Sequence, residues 1–193
     1  MDGGGALGAR GGELRLSGGE YRGRRLRVPA GVRPTEGRLR EALFSIWQNE
    51  VGGARFLDLF AGAGGVGLEA VGRGAERAVL VEEDPRTLRT LKENVATLGA
   101  EEATRLYRLR LPAGLAVLRE REAPFALIFV DPPYGFGEGD KLLAALPPLL
   151  LPTGSVAYEH ADRDAPPAAP PELVFDETRC YGGSCLSFYR AGA

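Results

Sequence analysis

Phe56-Leu-Asp-Leu-Phe-Ala-Gly-Ala-Gly-Gly-Val-Gly67 carries the reading that decides the fold. Phe56 to Phe60 has the length and apolar content of a strand. The glycines that follow make a turn, and Val66, Leu68, Ala70 and Val71 recur as a helix. A glycine-rich turn between a strand and a helix lets a ligand approach the backbone and the helix N-terminus. Gly62-x-Gly64-x-x-Gly67 matches the dinucleotide fingerprint, and Glu82 follows Gly62 by 20 positions at the end of the next strand, placed for ribose hydroxyls. A nucleotide or nucleoside cofactor is therefore expected. Asp58 bears on which one. A carboxylate inside the first turn repels a pyrophosphate and suits a cation such as the amino group of S-adenosylmethionine. The other reading of Asp58 is an acid capping the loop's own backbone donors.

Working outward, strands and helices alternate. A strand at Ala78 to Val81 is followed by a helix from Thr87 to Leu98, stopped by Gly99. A weak strand near 106–109 and a helix from Pro112 to Arg121 lead to the buried run Phe125 to Val130. A helix at Lys141 to Leu146, a strand at Ser155 to Tyr158, and strands at Glu172 to Glu177 and Cys185 to Tyr189 complete the pattern. Alternation of this kind predicts an α/β, doubly wound, mostly parallel sheet. At 193 residues and 44% hydrophobic content, the chain has the size of one domain with an N-terminal piece.

That piece comprises a glycine-rich tail at 1–12, expected to be disordered, and a basic hairpin and helix at 13–50, with 51–193 as the main domain. Thr35 is expected to cap the helix that carries Leu39, Leu43, Ile46 and Trp47. The net charge of -2 argues weakly against nucleic acid, but its distribution does not: nine arginines against three acids lie between Arg10 and Arg40. Such a basic face on a slightly acidic body fits phosphate binding. Arg22, Arg24, Arg25 and Arg38 are the expected nucleic-acid contacts. Cys180 and Cys185 make neither a zinc pattern nor a disulfide framework, so both are expected reduced. No metal site is expected. No apolar stretch reaches membrane-span length, and the start lacks the order of a secretion signal, which leaves a cytoplasmic protein as the expectation.

Asp131-Pro132-Pro133-Tyr134 closes the run Phe125 to Val130, at the strand end where open α/β sheets bind ligands. Methylating an exocyclic amine requires acceptors for its N–H bonds, so that the nitrogen lone pair can face the methyl group in line. Asp131 supplies one acceptor and the Pro132 carbonyl a second, while the two prolines stiffen the turn. Tyr134 offers a face to a flat base, a contact worth about 1–3 kcal/mol. An ordinary strand-ending turn is the plain alternative.

Leu57-Asp-Leu-Phe-Ala-Gly-Ala-Gly64 together with Asp131-Pro-Pro-Tyr134 resembles the class I S-adenosylmethionine-dependent amino-methyltransferases. Ser17 to Pro29, Arg33-Pro-Thr35, Arg40-Glu-Ala-Leu-Phe44 and Tyr181 to Tyr189 resemble, more narrowly, the RsmD-like enzymes, which methylate N(2) of a guanine in small-subunit 16S ribosomal RNA. The resemblance implies a Rossmann-like seven-stranded sheet and S-adenosylmethionine as cofactor. Asp58, Phe60, Gly62, Gly64 and Glu82 are implied on the donor side, with the Arg33-Pro-Thr35 segment closing over it, and Asp131 to Tyr134 at the base. Ribosomal RNA or the small subunit is the implied partner of a monomeric enzyme. Arg110-Leu-Pro-Ala113 departs from the family's Asp-Ala pair for the cofactor adenine. A DNA adenine or protein glutamine methyltransferase, a nicotinamide oxidoreductase and a non-catalytic RNA-binding module are the rival readings.

Overall fold

The computed structural model describes residues 11–32 and 35–192. The expected tail therefore lies almost wholly outside the described residues, as do Arg33 and Pro34. Strands β3 (Arg55–Leu59), β4 (Arg77–Val81), β5 (Thr104–Tyr107), β6 (Phe125–Val130) and β7 (Leu150–Ala161) run parallel. β8 (Leu173–Tyr181) and β9 (Ser184–Ala191) add an antiparallel hairpin, giving seven strands in the order β5-β4-β3-β6-β7-β9-β8. The chain runs outward from β3 to β5, then crosses back to lay β6 on β3's other side. Where strand order reverses, two neighbouring strand ends are left open to a ligand. Here they are the ends of β3 and β6.

Strand alternation divides the core in two. Phe56, Ala78, Leu80, Leu127 and Phe129 pack with helices α1 (Gly37–Ile46), α2 (Gly65–Gly72) and α3 (Pro85–Leu98). Leu57, Leu59, Val79, Val81, Ile128 and Val130 pack on the opposite face with α4 (Leu115–Arg121) and α5 (Gly139–Ala144). A strand buried on both faces reads as a continuous apolar run, as β6 does. α1 belongs to this core: buried Trp47 meets Phe56 and Phe188 edge-on and donates from Nε1 to Ser155 Oγ at 3.2 Å.

Several boundaries move for local reasons. α3 starts at Pro85, because Asp84 caps it through Arg86 N and Thr87 N and proline suits the first turn. Thr35 does not cap α1; Glu36 occupies that position, and Thr35 points elsewhere. β5 covers 104–107 rather than 106–109, and α4 begins three residues after Pro112. The final strands lengthen into one hairpin. Its register sets Cys180 opposite Cys185 with Cα atoms 4.0 Å apart, and the two are disulfide-bonded. The expectation of two reduced cysteines is corrected: the count of cysteines said nothing about a hairpin register that makes them cross-strand neighbours.

The N-terminal strands β1 (Gly12–Arg15) and β2 (Arg25–Val28) pair as a separate hairpin. It is fastened to the main sheet layers by buried polar groups. Glu69 of α2 accepts from Ser17 N and Oγ, from Arg40 Nε and from Arg73. Arg40 also donates to the carbonyls of Arg15 and Thr35. Burial pushes the Glu69 carboxyl up, and the hydrogen bonds from Ser17, Arg40 and Arg73 outweigh it, leaving its pKa below the usual range. Asn94 adds a second fastening, accepting from Arg27 N and donating to the carbonyls of Arg27 and Ala63.

Candidate active site at the switch point

A cavity with about 350 Å³ of empty space, partly open to solvent, lies beyond the ends of β3 and β6. Asp58, Phe60, Ala61, Gly62 and Gly65 form one wall, Phe129 and Asp131 another, and Leu14, Val32 and Thr35 of the N-terminal segment a third. Residues from three distant parts of the chain thus meet here.

On the donor side, Asp58 is 1% exposed and its Oδ2 accepts from Gly67 N at 2.8 Å. Burial pushes its carboxyl up to about 8; the Gly67 N–H opposes this, while the nearby charges of Asp131 and Glu82 reinforce it. Glu82 is raised as well, first by burial, though Asp84 N and Gly62 N bond to its two oxygens at 2.8 and 3.0 Å. These bonds bear on the ligand class. In a dinucleotide site the loop's N–H groups face a pyrophosphate. Here Gly62 and Gly67 give theirs to Glu82 and Asp58, and Gly64 N bonds Ala61 O at 2.8 Å. The pocket is lined with acid and suits a cationic ligand.

Left-handed backbone recurs in the loop. Phe60 has φ +69, a left-handed conformation uncommon outside glycine, and its ring packs edge-on against Phe136 at 5.1 Å. Gly64 has φ +88, and a Cβ there would lie 2.5 Å from Leu91 Cδ1. Gly64 therefore serves close packing on α2 and α3, while Gly62 contributes to the cavity wall. Glu82 is tied to that wall through Gly62.

On the acceptor side, Asp131 lines the cavity and its Oδ2 accepts a hydrogen bond from Thr35 Oγ1 at 3.2 Å. The Thr35 carbonyl is in turn held by buried Arg40 at 3.1 Å. Beyond Asp131, the Pro133 carbonyl accepts from Phe136 N and closes the turn, while Tyr134 is 66% exposed. Pro132 lies between the two, half-buried. The expected RNA-facing arginines, Arg22, Arg24, Arg25 and Arg38, are exposed. Two of them have partners: Arg24 donates to Thr97 O, and Arg25 pairs with Glu13 at 2.7 Å.

Arg40 does not belong to the basic face. It is 1% exposed and paired with Glu69, itself fully buried. A signal was available, since Arg40, Leu43, Phe44 and Trp47 share the 3.6-residue spacing of the helix's apolar side. Leu14 and Val32 were also missed as cavity wall, and nothing local marks them. His160 is a packing histidine, bonded to Ser187 Oγ at 2.8 Å and to Ala161 O at 2.9 Å. Among the described residues, no group of three or more His, Cys, Asp or Glu is placed to hold a metal, and no helix is long and apolar enough to cross a membrane.

Residues 14–190 match the family described as Conserved hypothetical protein 95, the RsmD family. The chain belongs to this family. It is 33% identical over 181 residues to YlbH of Bacillus subtilis (strain 168), covering 92% of this chain and 98% of that protein. It is 41% identical over 128 residues to Ribosomal RNA small subunit methyltransferase D of Escherichia coli (strain K12), covering 65% of this chain and 63% of that one. The solved structure of yhhF from Escherichia coli superposes with a TM-score of 0.82 at 30% identity, covering 94% of this chain and 99% of the other. The fold of this family member is that of the class I S-adenosylmethionine-dependent methyltransferases.

Proposed function

We propose that this chain transfers a methyl group from S-adenosylmethionine to the exocyclic amine, N(2), of a guanine in the 16S RNA of the small ribosomal subunit. One observation carries the reading: two carboxylates occupy the glycine-loop amides while a third, Asp131, faces the same cavity at the head of the Pro-Pro-Tyr turn. A cation-binding pocket next to an N–H acceptor fits an amine methyltransferase, and carboxylates on the Gly62 and Gly67 amides disfavour a dinucleotide's phosphates there. The E. coli relative that shares 41% identity bears the name of a small-subunit ribosomal RNA methyltransferase, which supports RNA as the substrate.

Asp58, Phe60, Ala61 and Gly62 would hold the donor, with Glu82 fixing the loop around it. Bound there, the donor supplies an electrophilic methyl group on a sulfonium. Asp58 meets the donor's cationic amino end, and the pairing favours its carboxylate form over the neutral acid that burial alone prefers. Asp131 accepts an N–H of the incoming amine, withdrawing the nitrogen lone pair from the ring and directing it at the methyl carbon. Methyl transfer to the amine would release S-adenosylhomocysteine and one proton, which solvent takes up. Catalysis is then mainly alignment and electrostatic fit. Tyr134 presents a face for the base, which must be unpaired or turned out of its helix to reach the cavity.

Thr35 stands where the amine must bind. Its hydroxyl occupies Asp131 Oδ2, so substrate binding exchanges an O–H donor for an N–H donor on that oxygen. The test supplies methyl-labelled S-adenosylmethionine with small subunits, free ribosomal RNA, DNA and protein. Label on small-subunit RNA supports the proposal, and label confined to DNA or protein refutes it.

A further inference from the structure

A second concavity adjoins the acceptor turn. It is an open concavity whose empty space, about 500 Å³, merges with solvent. Tyr134, Ala161, Asp162, Arg163 and Gly183 line it. Its base is set by backbone pairing: Asp162 N donates to Gly183 O at 3.1 Å, and Ala161 lies opposite Ser184 in the β7–β9 ladder. The Cys180–Cys185 disulfide closes the β8–β9 turn that carries Gly183. The groove is therefore built on paired strands.

Resting on the reading of the Asp131 turn as an RNA methylation centre, we propose that this groove binds the unpaired nucleotide adjacent to the target base. Three features select that occupant. Tyr134 belongs both to the acceptor turn and to the groove, and an RNA strand entering the cavity must carry its next nucleotide past the same residue. Arg163 is exposed on the groove wall, where a guanidinium can grip a phosphate with two N–H bonds. Asp162 beside it is an acceptor for base N–H groups. Aromatic face, cation and base-edge acceptor are the usual components of single-strand recognition. Asp164 follows within the same turn, so Arg163 acts as a directed phosphate contact within a mixed-charge wall rather than as part of a basic field.

Gly183 makes the inference testable without disturbing the fold. A Cβ built there meets no atom within 4 Å, so a side chain at 183 enters open space on the groove wall. Gly183→Val should raise the KM for small subunits or free ribosomal RNA by about tenfold, the loss of one stacked base, with the KM for S-adenosylmethionine and the melting temperature unchanged. Arg163→Gln should also raise the RNA KM and lower the slope of log affinity against log salt by about 1. Wild-type RNA KM in both variants overturns the proposal. Should Gly183→Val lower the melting temperature, the exposed Arg163→Gln decides alone. If the wild-type enzyme labels no RNA, the proposed function itself fails and the groove's role fails with it; RNA labelling with both variants unaffected removes the groove alone.

Discussion

The donor and acceptor halves of the cavity are built in opposite ways. The donor half comes from one continuous stretch, 58–67, plus Glu82. Its key bonds span 9 and 20 residues, and its carboxylates are tied to backbone N–H groups. The acceptor half joins Asp131 to Thr35 across 96 residues, and it depends on Arg40 to hold Thr35 in place. A locally closed site is rigid because each piece fixes its neighbour. A site assembled from distant pieces can instead respond to whatever docks on them, and here those pieces include the arginine-bearing hairpin. Separation of the two halves should be visible in which kinetic constant each variant moves.

The largest effect is expected at Asp131. Asp131→Ala should lower kcat by about 10²–10³-fold, the range for losing one well-placed polar contact to the transition state, while calorimetry shows S-adenosylhomocysteine binding largely retained. Equal losses of donor affinity and turnover would erase the division between halves.

Arg40→Met comes next and acts on the acceptor side through stability. It removes one of the two arginines on buried Glu69 while Arg73 and Ser17 stay, so the cost should fall below the about 3–5 kcal/mol of a fully unpaired buried charge, read as a lower urea midpoint. Because Thr35 loses its anchor, turnover should fall more than donor affinity at temperatures where the protein remains folded.

Asp58→Asn probes the donor half through pH. With its carboxyl pushed up to about 8, folded wild-type protein holds more protons than unfolded chain from the ordinary value of 3.8 upward. Stability therefore falls as pH rises through that window and levels off above 8. The Asn variant should lack this fall, and so gain on wild type between pH 4 and 8 in urea melts. Its donor affinity should be weaker and should not tighten as pH approaches 8.

The smallest effects belong to the hairpin. Arg22→Gln should weaken RNA binding and reduce the salt slope by about 1. Arg25→Gln should do less, because Glu13 already neutralises it. An equal response from both would mean that the Arg25–Glu13 pair opens when RNA binds.

The contrast between the halves also explains what the sequence disclosed. The parallel sheet, the glycine loop, Glu82 and the strand ending at Asp131 were legible because each signal is local: apolar runs, turns and a fixed spacing. The Thr35–Asp131 contact, the walls from Leu14 and Val32, and the Tyr134–Gly183 groove depend on where the topology returns the chain, and no short pattern encodes that. Arg40 lies between the two cases. Its helical spacing announced burial, but its charge and the arginines around it pointed to the surface. The disulfide followed the same logic, since pairing was set by a register that only the complete hairpin defines.

The central claim is that Asp131 and Tyr134 present a guanine amine to the methyl donor. Its most direct test maps the nucleotide modified when wild-type enzyme acts on unmethylated small subunits with labelled S-adenosylmethionine. A single N(2)-methylguanine in the 16S RNA is expected, absent with Asp131→Ala. Label on an adenine, on a ring nitrogen or on a subunit protein, or a full signal from the Asp131 variant, would contradict it.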